Sequence, residues 1–187
     1  MTLRTKRVFC PFRNDYAVLV LWLFSLTAML TSCINDDEDD NVQTALVNVG
    51  DKVPDFTLTG SDGSVYTSAS LIGQVYILSF FDTGCPDCQE EFQVLQRIYD
   101  QYSPDVPVLN VPRSQTAEQV QAYWTSAGLT MPFHIPADKA LYYQFATKTI
   151  PRTYIVDGNG TVIAAYDDSP IADYDTIDAI LKELFSK

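Results

Sequence analysis

From Val49 onward, apolar and polar positions follow a period of two in some stretches and a period near 3.6 in others, the pattern of strands alternating with helices. Phe56, Thr57 and Leu58 alternate, and Gly60-Ser61-Asp62-Gly63 marks a turn before Val65 and Tyr66, which predicts a small hairpin. Residues 75–81 are almost wholly apolar and β-prone, as a strand buried on both faces requires. Residues 86–102 contain no Pro or Gly after Pro86, and Cys88, Phe92, Leu95, Tyr99 and Tyr102 recur at spacings of four and three, which predicts a helix with one face in the core. Residues 106–111 read as a second buried strand, 116–127 as a helix stopped by Gly128, and 138–145 as a shorter helix. Strands over 153–156 and 161–166 flank Asp157-Gly158-Asn159-Gly160, a hairpin turn, and an amphipathic helix over 171–185 closes the chain. Strands alternating with helices imply a parallel sheet covered on both sides, to which the final hairpin adds an antiparallel edge.

The chain has 187 residues, room for one domain and for no second full core. The pattern places that domain at 46–187. Hydrophobic residues at 47% and charged residues at 19% are ordinary globular values, so the chain as a whole is not a disordered one. The net charge of -12 argues against nucleic acid as a partner, because affinity for phosphate rests on clustered Lys and Arg.

Residues 1–32 read as an address. Arg4, Lys6, Arg7 and Arg13 make the start positive, and the 14 residues 17–30 are apolar apart from Ser25 and Thr27. That run is too short to span about 30 Å of hydrocarbon, and it fits a secretory signal peptide. It ends in Leu30-Thr31-Ser32-Cys33, which resembles a bacterial lipobox and implies lipidation at Cys33 and a membrane anchor there. An ordinary signal peptide or an uncleaved anchor is the plainer alternative. Cleavage before Cys33 removes four basic residues and one acid and leaves 8 against 23, a net of -15. Asp36, Asp37, Glu38, Asp39 and Asp40 follow at once, so 33–45 reads as an acidic, flexible tether. An acidic run there also resembles the surface-export signal of Bacteroidetes lipoproteins, and Ile34 leaves no inner-membrane retention signal. The expected location is the envelope of a Gram-negative bacterium, lipid-anchored at the outer membrane, with either face open.

The chemistry sits where the central strand meets the first long helix, at Cys85-Pro86-Asp87-Cys88. A helix N-terminus carries about half a positive charge and free N-H groups, which favours a nucleophilic thiolate at Cys85. The two-residue spacing lets Cys88 reach back to close a reducible disulfide, and Pro86 stands at an early helical position where its missing N-H costs nothing. A zinc half-site and a purely structural disulfide are the alternatives. Zinc wants four ligands, and the domain offers no other cysteine and only His134; a loop this short restrains little chain. His134, between Pro132 and Pro136, reads as a loop residue, and Tyr142, Tyr143 and Phe145 as core.

Together these residues resemble the thioredoxin superfamily, in its branch of membrane-tethered extracytoplasmic reductases of the TlpA and ResA kind. The resemblance covers 49–187. It rests on the entry segment Gly50-Asp51-Lys52-Val53-Pro54-Asp55-Phe56-Thr57-Leu58, the strand running into Cys85 and Cys88, and Ile150-Pro151-Arg152-Thr153-Tyr154-Ile155-Val156-Asp157. It implies an α/β thioredoxin-like fold, a central mixed sheet flanked by helices with an N-terminal β-hairpin extension. It implies catalysis by Cys85 and Cys88, and substrate contacts at Gly84, Pro86, Ile150 and Pro151. Pro151 would be a cis-proline facing the disulfide, with the backbone of Ile150 pairing to substrate; the alternative is a trans proline that opens a strand. Glu91 stands where the ResA-like branch carries an acid. It is three residues after Cys88 on a helix and is a candidate proton acceptor for that thiol; the alternative is a solvated acid like Glu90. The implied activity is reduction of protein disulfides through a mixed disulfide, supplied by an upstream thiol donor and needing no cofactor and no metal.

The sequence also departs from that pattern. Gly84 stands where most relatives have Trp, and Ser79 where thioredoxin has a buried Asp. Asp87 lies between the cysteines where strongly oxidising relatives have His. Its negative charge opposes the helix dipole and favours the disulfide over the dithiol, which predicts a reducing poise nearer to about -270 mV than to about -120 mV. Peroxiredoxins share the fold and the entry segment, so a thiol peroxidase is the alternative enzyme. They carry Pro and Thr or Ser where this chain has Leu78 and Asp82. A lipoprotein binding module with an idle pair is the third possibility.

Overall fold

The computed structural model describes residues 45–186. The expected leader, the lipid site at Cys33 and the acidic run lie outside the described residues. Ala45, at the last position of the expected tether, forms an antiparallel bridge with Ala146.

The organising element is β3 (Tyr76–Phe81), all six of whose residues are buried. On one side it pairs in parallel with β4 (Val108–Pro112), and on the other it pairs antiparallel with β6 (Arg152–Val156). β7 (Val162–Tyr166) completes a four-stranded sheet in the order β4-β3-β6-β7. A second sheet is ordered β2-β1-β5, from β1 (Thr57–Gly60), β2 (Val65–Thr67) and β5 (His134–Pro136). The hairpin of β1 and β2 is the N-terminal extension expected from the sequence.

The architecture is the mixed sheet that the resemblance implied, and it is less parallel than the alternation of strands and helices suggested: only β3 and β4 pair in parallel within it. After β5 the chain makes one helical turn, α3 (Tyr142–Phe145), and enters β6 at the end where β3 finishes, so that β6 runs back against it.

Alternation along β3 divides the interior into two layers. Tyr76, Leu78 and Phe80 face a layer built with Leu109, Val111, Tyr142, Phe145, Tyr154 and Val156. Ile77 and Phe81 face the other layer, where α1 (Pro86–Tyr102) contributes Cys88, Phe92, Leu95 and Ile98 and α4 (Tyr174–Phe185) contributes Ile177 and Leu181. Each such burial contributes about 1.5–3 kcal/mol. The rings of Phe81, Phe92 and Trp124 meet there at centroid distances of 4.9–5.0 Å.

α2 (Ala117–Ala127) begins at a capping box between Thr116 and Gln119 and ends at Gly128, whose φ of 68° suits a residue without a Cβ. α4 starts at Tyr174, three residues later than the pattern suggests, because the Asp173 carboxylate takes the Thr176 amide at 3.0 Å and caps the helix there. His134 departs from its expected loop: it lies in β5, paired with Gly60 and 1% exposed.

Candidate functional site

β3 ends at Phe81, and Asp82-Thr83-Gly84 turn the chain into α1. Cys85 is the N-cap of that helix, in an extended conformation, with Pro86 in the first turn. The turn is held at every residue. Asp82 O accepts from Cys85 N at 3.1 Å and Asp82 Oδ1 from Gly84 N at 2.8 Å. Thr83 N donates to Gln115 Oε1 at 2.8 Å, Gln115 Nε2 returns a bond to Thr83 Oγ1 at 2.7 Å, and Gln89 Nε2 donates to Thr83 O at 2.8 Å. A Cβ on Gly84 would meet Asp82 Oδ1 at 3.3 Å, so the bond that shapes the turn also favours the smallest residue before the first cysteine.

Both cysteines are thiols, Cys85 half-buried and Cys88 buried. Across from Cys85, Ile150 O lies 3.7 Å from its Sγ, and the Ile150–Pro151 bond is cis, as the resemblance implied. The loop that presents Ile150 is fixed from the opposite layer. Tyr142 Oη donates to Thr149 O at 2.8 Å and Arg152 Nη2 to Lys148 O at 3.4 Å. Thr149 has a φ of 83°, a conformation that costs a β-branched residue about 1–3 kcal/mol and has to be imposed by its surroundings. Nothing in the spacing of the sequence marks Gln115, Gln89 or Tyr142 for these roles. Their partners are backbone atoms and a loop threonine, brought near only by the fold.

Glu91 is fully buried, whereas Glu90 beside it is exposed. The alternative of a solvated acid is therefore corrected: Glu91 shares the inner face of α1 with Cys88 and Phe92. Its Oε2 accepts from Ser79 Oγ at 3.2 Å. Burial pushes the Glu91 carboxyl up to about 7, against the lowering effect of the Thr153 and Ser79 hydroxyls. Burial, hydrogen bonding with Cys85 and the charge of Glu91 hold the Cys88 thiol above the ordinary cysteine range.

The structure thus brings Gly84, Cys85, Pro86, Cys88, Glu91, Ile150 and Pro151 to one end of the main sheet. It shows a half-buried sulfur at the start of the helix, a second sulfur beneath it, a backbone carbonyl opposite, and a buried acid below. Among the described residues no group of three or more His, Cys, Asp and Glu side chains could hold a metal. Burial pushes His134 down to about 4, and the edge of its ring meets Tyr66 at a centroid distance of 5.6 Å.

The chain is 27% identical to the thiol-disulfide oxidoreductase ResA of Geobacillus thermodenitrificans over 117 residues, covering 62% of this chain and 67% of that protein. With the thiol:disulfide interchange protein DsbE of Escherichia coli K12 it shares 25% identity over 151 residues, covering 77% and 79%. Among solved structures, a thioredoxin family thiol:disulfide interchange protein from Chlorobium tepidum superposes with a TM-score of 0.61 at 24% identity, over 73% of this chain and 97% of that one. A solution structure from Bacteroides thetaiotaomicron reaches a TM-score of 0.70 at 23% identity, over 77% and 94%. The fold is thioredoxin-like, and with residues 49–165 matched, well over half of its length, the chain belongs to the AhpC/TSA family.

Proposed function

We propose that this chain, a thioredoxin-like thiol-disulfide oxidoreductase, reduces protein disulfides outside the cytoplasm through Cys85 and Cys88. The observation that carries the reading is the geometry of the pair. A half-buried N-cap cysteine stands 3.7 Å from the carbonyl before a cis-proline, with a fully buried cysteine one turn behind it. The Cys85 thiolate attacks a substrate disulfide. One substrate sulfur leaves as a thiolate and takes a proton, and the other is held as a mixed disulfide with Cys85. Cys88 gives its proton to Glu91 and attacks the Cys85 sulfur. The second substrate thiol is released and the Cys85–Cys88 disulfide remains, to be reduced by an upstream thiol donor. Gly84, Pro86, Ile150 and Pro151 border the position the mixed disulfide takes.

Insulin-disulfide reduction by the purified protein tests the reading. The wild type is expected to be active, Cys85→Ser inactive and Cys88→Ser arrested as a mixed disulfide; an active Cys85→Ser protein would refute the mechanism. Peroxide consumption in parallel tests the peroxidase alternative. The geometry speaks against that enzyme, since Leu78 is fully buried in the core and Asp82 spends its carboxylate on the Gly84 amide. Lipid attachment at Cys33, supported by the small-small-cysteine end of the leader, is tested by incorporation of labelled palmitate, which Cys33→Ala should abolish. Fractionation of the native host then tests the outer-membrane location.

A further inference from the structure

Three polar side chains lie side by side across the middle of the main sheet. Ser79 in β3 is in register with Asn110 in β4 and with Thr153 in β6, and all three are fully buried. Alternation puts them on the same face as Ile77, Phe81, Val108 and Ile155, which is the face under α1. Register partners stand about 4.5–5.5 Å apart, so the row is continuous. Polar groups in such a layer destabilise the fold unless something there uses them. Asn110 Nδ2 donates to Pro132 O at 3.0 Å and so ties the end of the row to the chain entering β5. The other two serve Glu91. Ser79 Oγ donates to Oε2 at 3.2 Å. Thr153 closes no hydrogen bond in this structure, yet its hydroxyl is near enough to favour the carboxylate.

We propose that Ser79 and Thr153 are positioning residues for the resolving step, holding the Glu91 carboxylate against the sheet beneath Cys88 and setting the pH range over which it accepts that thiol's proton. The inference rests on the reading of Glu91 as that acceptor. Its logic is one of charge: this layer tolerates a single negative group. While Glu91 is ionised it opposes the Cys88 thiolate. When the proton passes from Cys88 Sγ to the Glu91 carboxylate, the opposing charge disappears as the attacking one forms. The two hydroxyls favour the ionised acid, so Glu91 is ready to accept at lower pH than burial alone would allow. Few other groups compete. On β7, Tyr166 stands in register with Thr153 on this face, and burial pushes its hydroxyl up, so it stays neutral. On α1 the ionisable neighbour is Cys88, with Cys85 beyond it. On β3 and β6 the side chains flanking Ser79 and Thr153 on this face are Ile77, Phe81 and Ile155. Arg152 points to the other face of β6, toward Lys148 O and Asp167. On α4 the residues facing in are Ile177 and Leu181, while Asp178 is taken up by Tyr102 and Lys182.

Reaction of the reduced full-length protein with the aromatic disulfide dithiobis(nitrobenzoate) separates the two chemical steps. A first release of thionitrobenzoate reports attack by Cys85, and a second reports resolution by Cys88. In the wild type the second phase is expected to rise with pH along a limb set by Glu91. Ser79→Ala and Thr153→Val should each move that limb upward by roughly one pH unit or less, and Ser79→Thr should move it back. The first phase reports whether Cys85 is intact in each variant. A carbon-13 titration of the Glu91 carboxyl should move in parallel, which a merely structural loss would not cause. Glu91→Gln should erase the limb. If it does so while Ser79→Ala and Thr153→Val leave the limb at the wild-type pH, the positioning role is overturned and the acid stands. If Glu91→Gln keeps the limb, the acceptor reading fails and the inference with it.

Discussion

The two layers on either side of the main sheet are built from the same strands yet do different work. On one, the polar groups are the hydroxyls of Tyr76, Tyr142 and Tyr154 and the Arg152 guanidinium; Tyr142 donates to Thr149 O and Tyr154 to Phe145 O at 3.4 Å, while the Tyr76 hydroxyl closes no hydrogen bond. On the other, under α1, Ser79, Thr153 and Asn110 sit at the centre of the sheet and one of them meets the buried acid Glu91. The first layer holds a loop in place and leaves titration out of the interior. The second keeps a titratable group, Glu91, beside Cys88. β3 supplies both through nothing more than alternation, with Phe80 facing one way and Ser79 the other.

The sharpest way to break that division is Phe80→Ala. Phe80 packs against Phe145, Tyr142 and Tyr154 at centroid distances of 4.9, 5.7 and 6.5 Å. Its truncation should destabilise the protein by about 3–5 kcal/mol, measured by urea unfolding. The pH dependence of the folded fraction should stay where it is. A shift in the Glu91 limb together with the lost stability would show that the layers are not separable.

On the other layer the expected signature is a pH-dependent stability. The folded Glu91 has its carboxyl raised from 4.5 to about 7. Between those values the folded Glu91 binds a proton that it does not bind in the unfolded state, so its contribution is fully present below about pH 4.5 and falls as pH rises, while buried His134, held at about 4 against 6.5, gives a slope of the opposite sign between those two values. The loss is complete above about pH 7 and amounts to about 3 kcal/mol. In urea titrations run from pH 4.5 to 8 the stability of the wild type relative to Glu91→Gln should fall by that amount as pH rises, and a difference independent of pH would place the effect elsewhere.

How much of this was readable beforehand follows from what each feature depends on. α1, α2 and the turn at 157–160 depend on local signals, namely spacing, a capping box and glycine, and they fall where the sequence puts them. The spacing of Cys85 and Cys88 at the start of α1 is local too. β5 is three residues, ending in Pro136 and preceded by Pro132, too short for a period to show. The antiparallel β6 and the Asn110-Ser79-Thr153 row both depend on pairing and register between strands far apart in the chain, which no local pattern carries. Glu91 lies between these cases. The apolar spacing ran the inner face of α1 through Cys88, Phe92, Leu95, Tyr99 and Tyr102, whereas the buried stripe runs through Cys88, Glu91, Phe92, Leu95 and Ile98. The two share Cys88, Phe92 and Leu95, and a tilt that exchanges Tyr99 and Tyr102 for Glu91 and Ile98 turns a surface acid into an interior one.

Tyr142→Phe probes the first layer more gently. It removes the bond to Thr149 O and keeps the ring, so about 1 kcal/mol of stability should be lost. Because Thr149 holds a φ of 83° only under constraint, the carbonyl of Ile150 should become less well placed. The expected kinetic result is a rise in KM for protein disulfides with little change in kcat. A fall in kcat alone would mean that the tyrosine acts on the pair and not on the loop.

The smallest effect belongs to the exposed end of the site, where neither layer reaches. Asp87 is exposed in the first turn of α1, between the two cysteines, and its charge competes with the thiolate for the positive end of the helix. Neutralising it should make the dithiol easier to keep and so raise the reduction potential. Solvent screens the side chain, which limits the change for Asp87→Asn to about 10–20 mV in glutathione equilibration. The wild-type potential itself should lie nearer to about -270 mV than to about -120 mV. Should Asp87→Asn lower the potential, the helix dipole would not be what the two charges share, and the poise would have to come from the buried side of the pair, through Cys88 and Glu91.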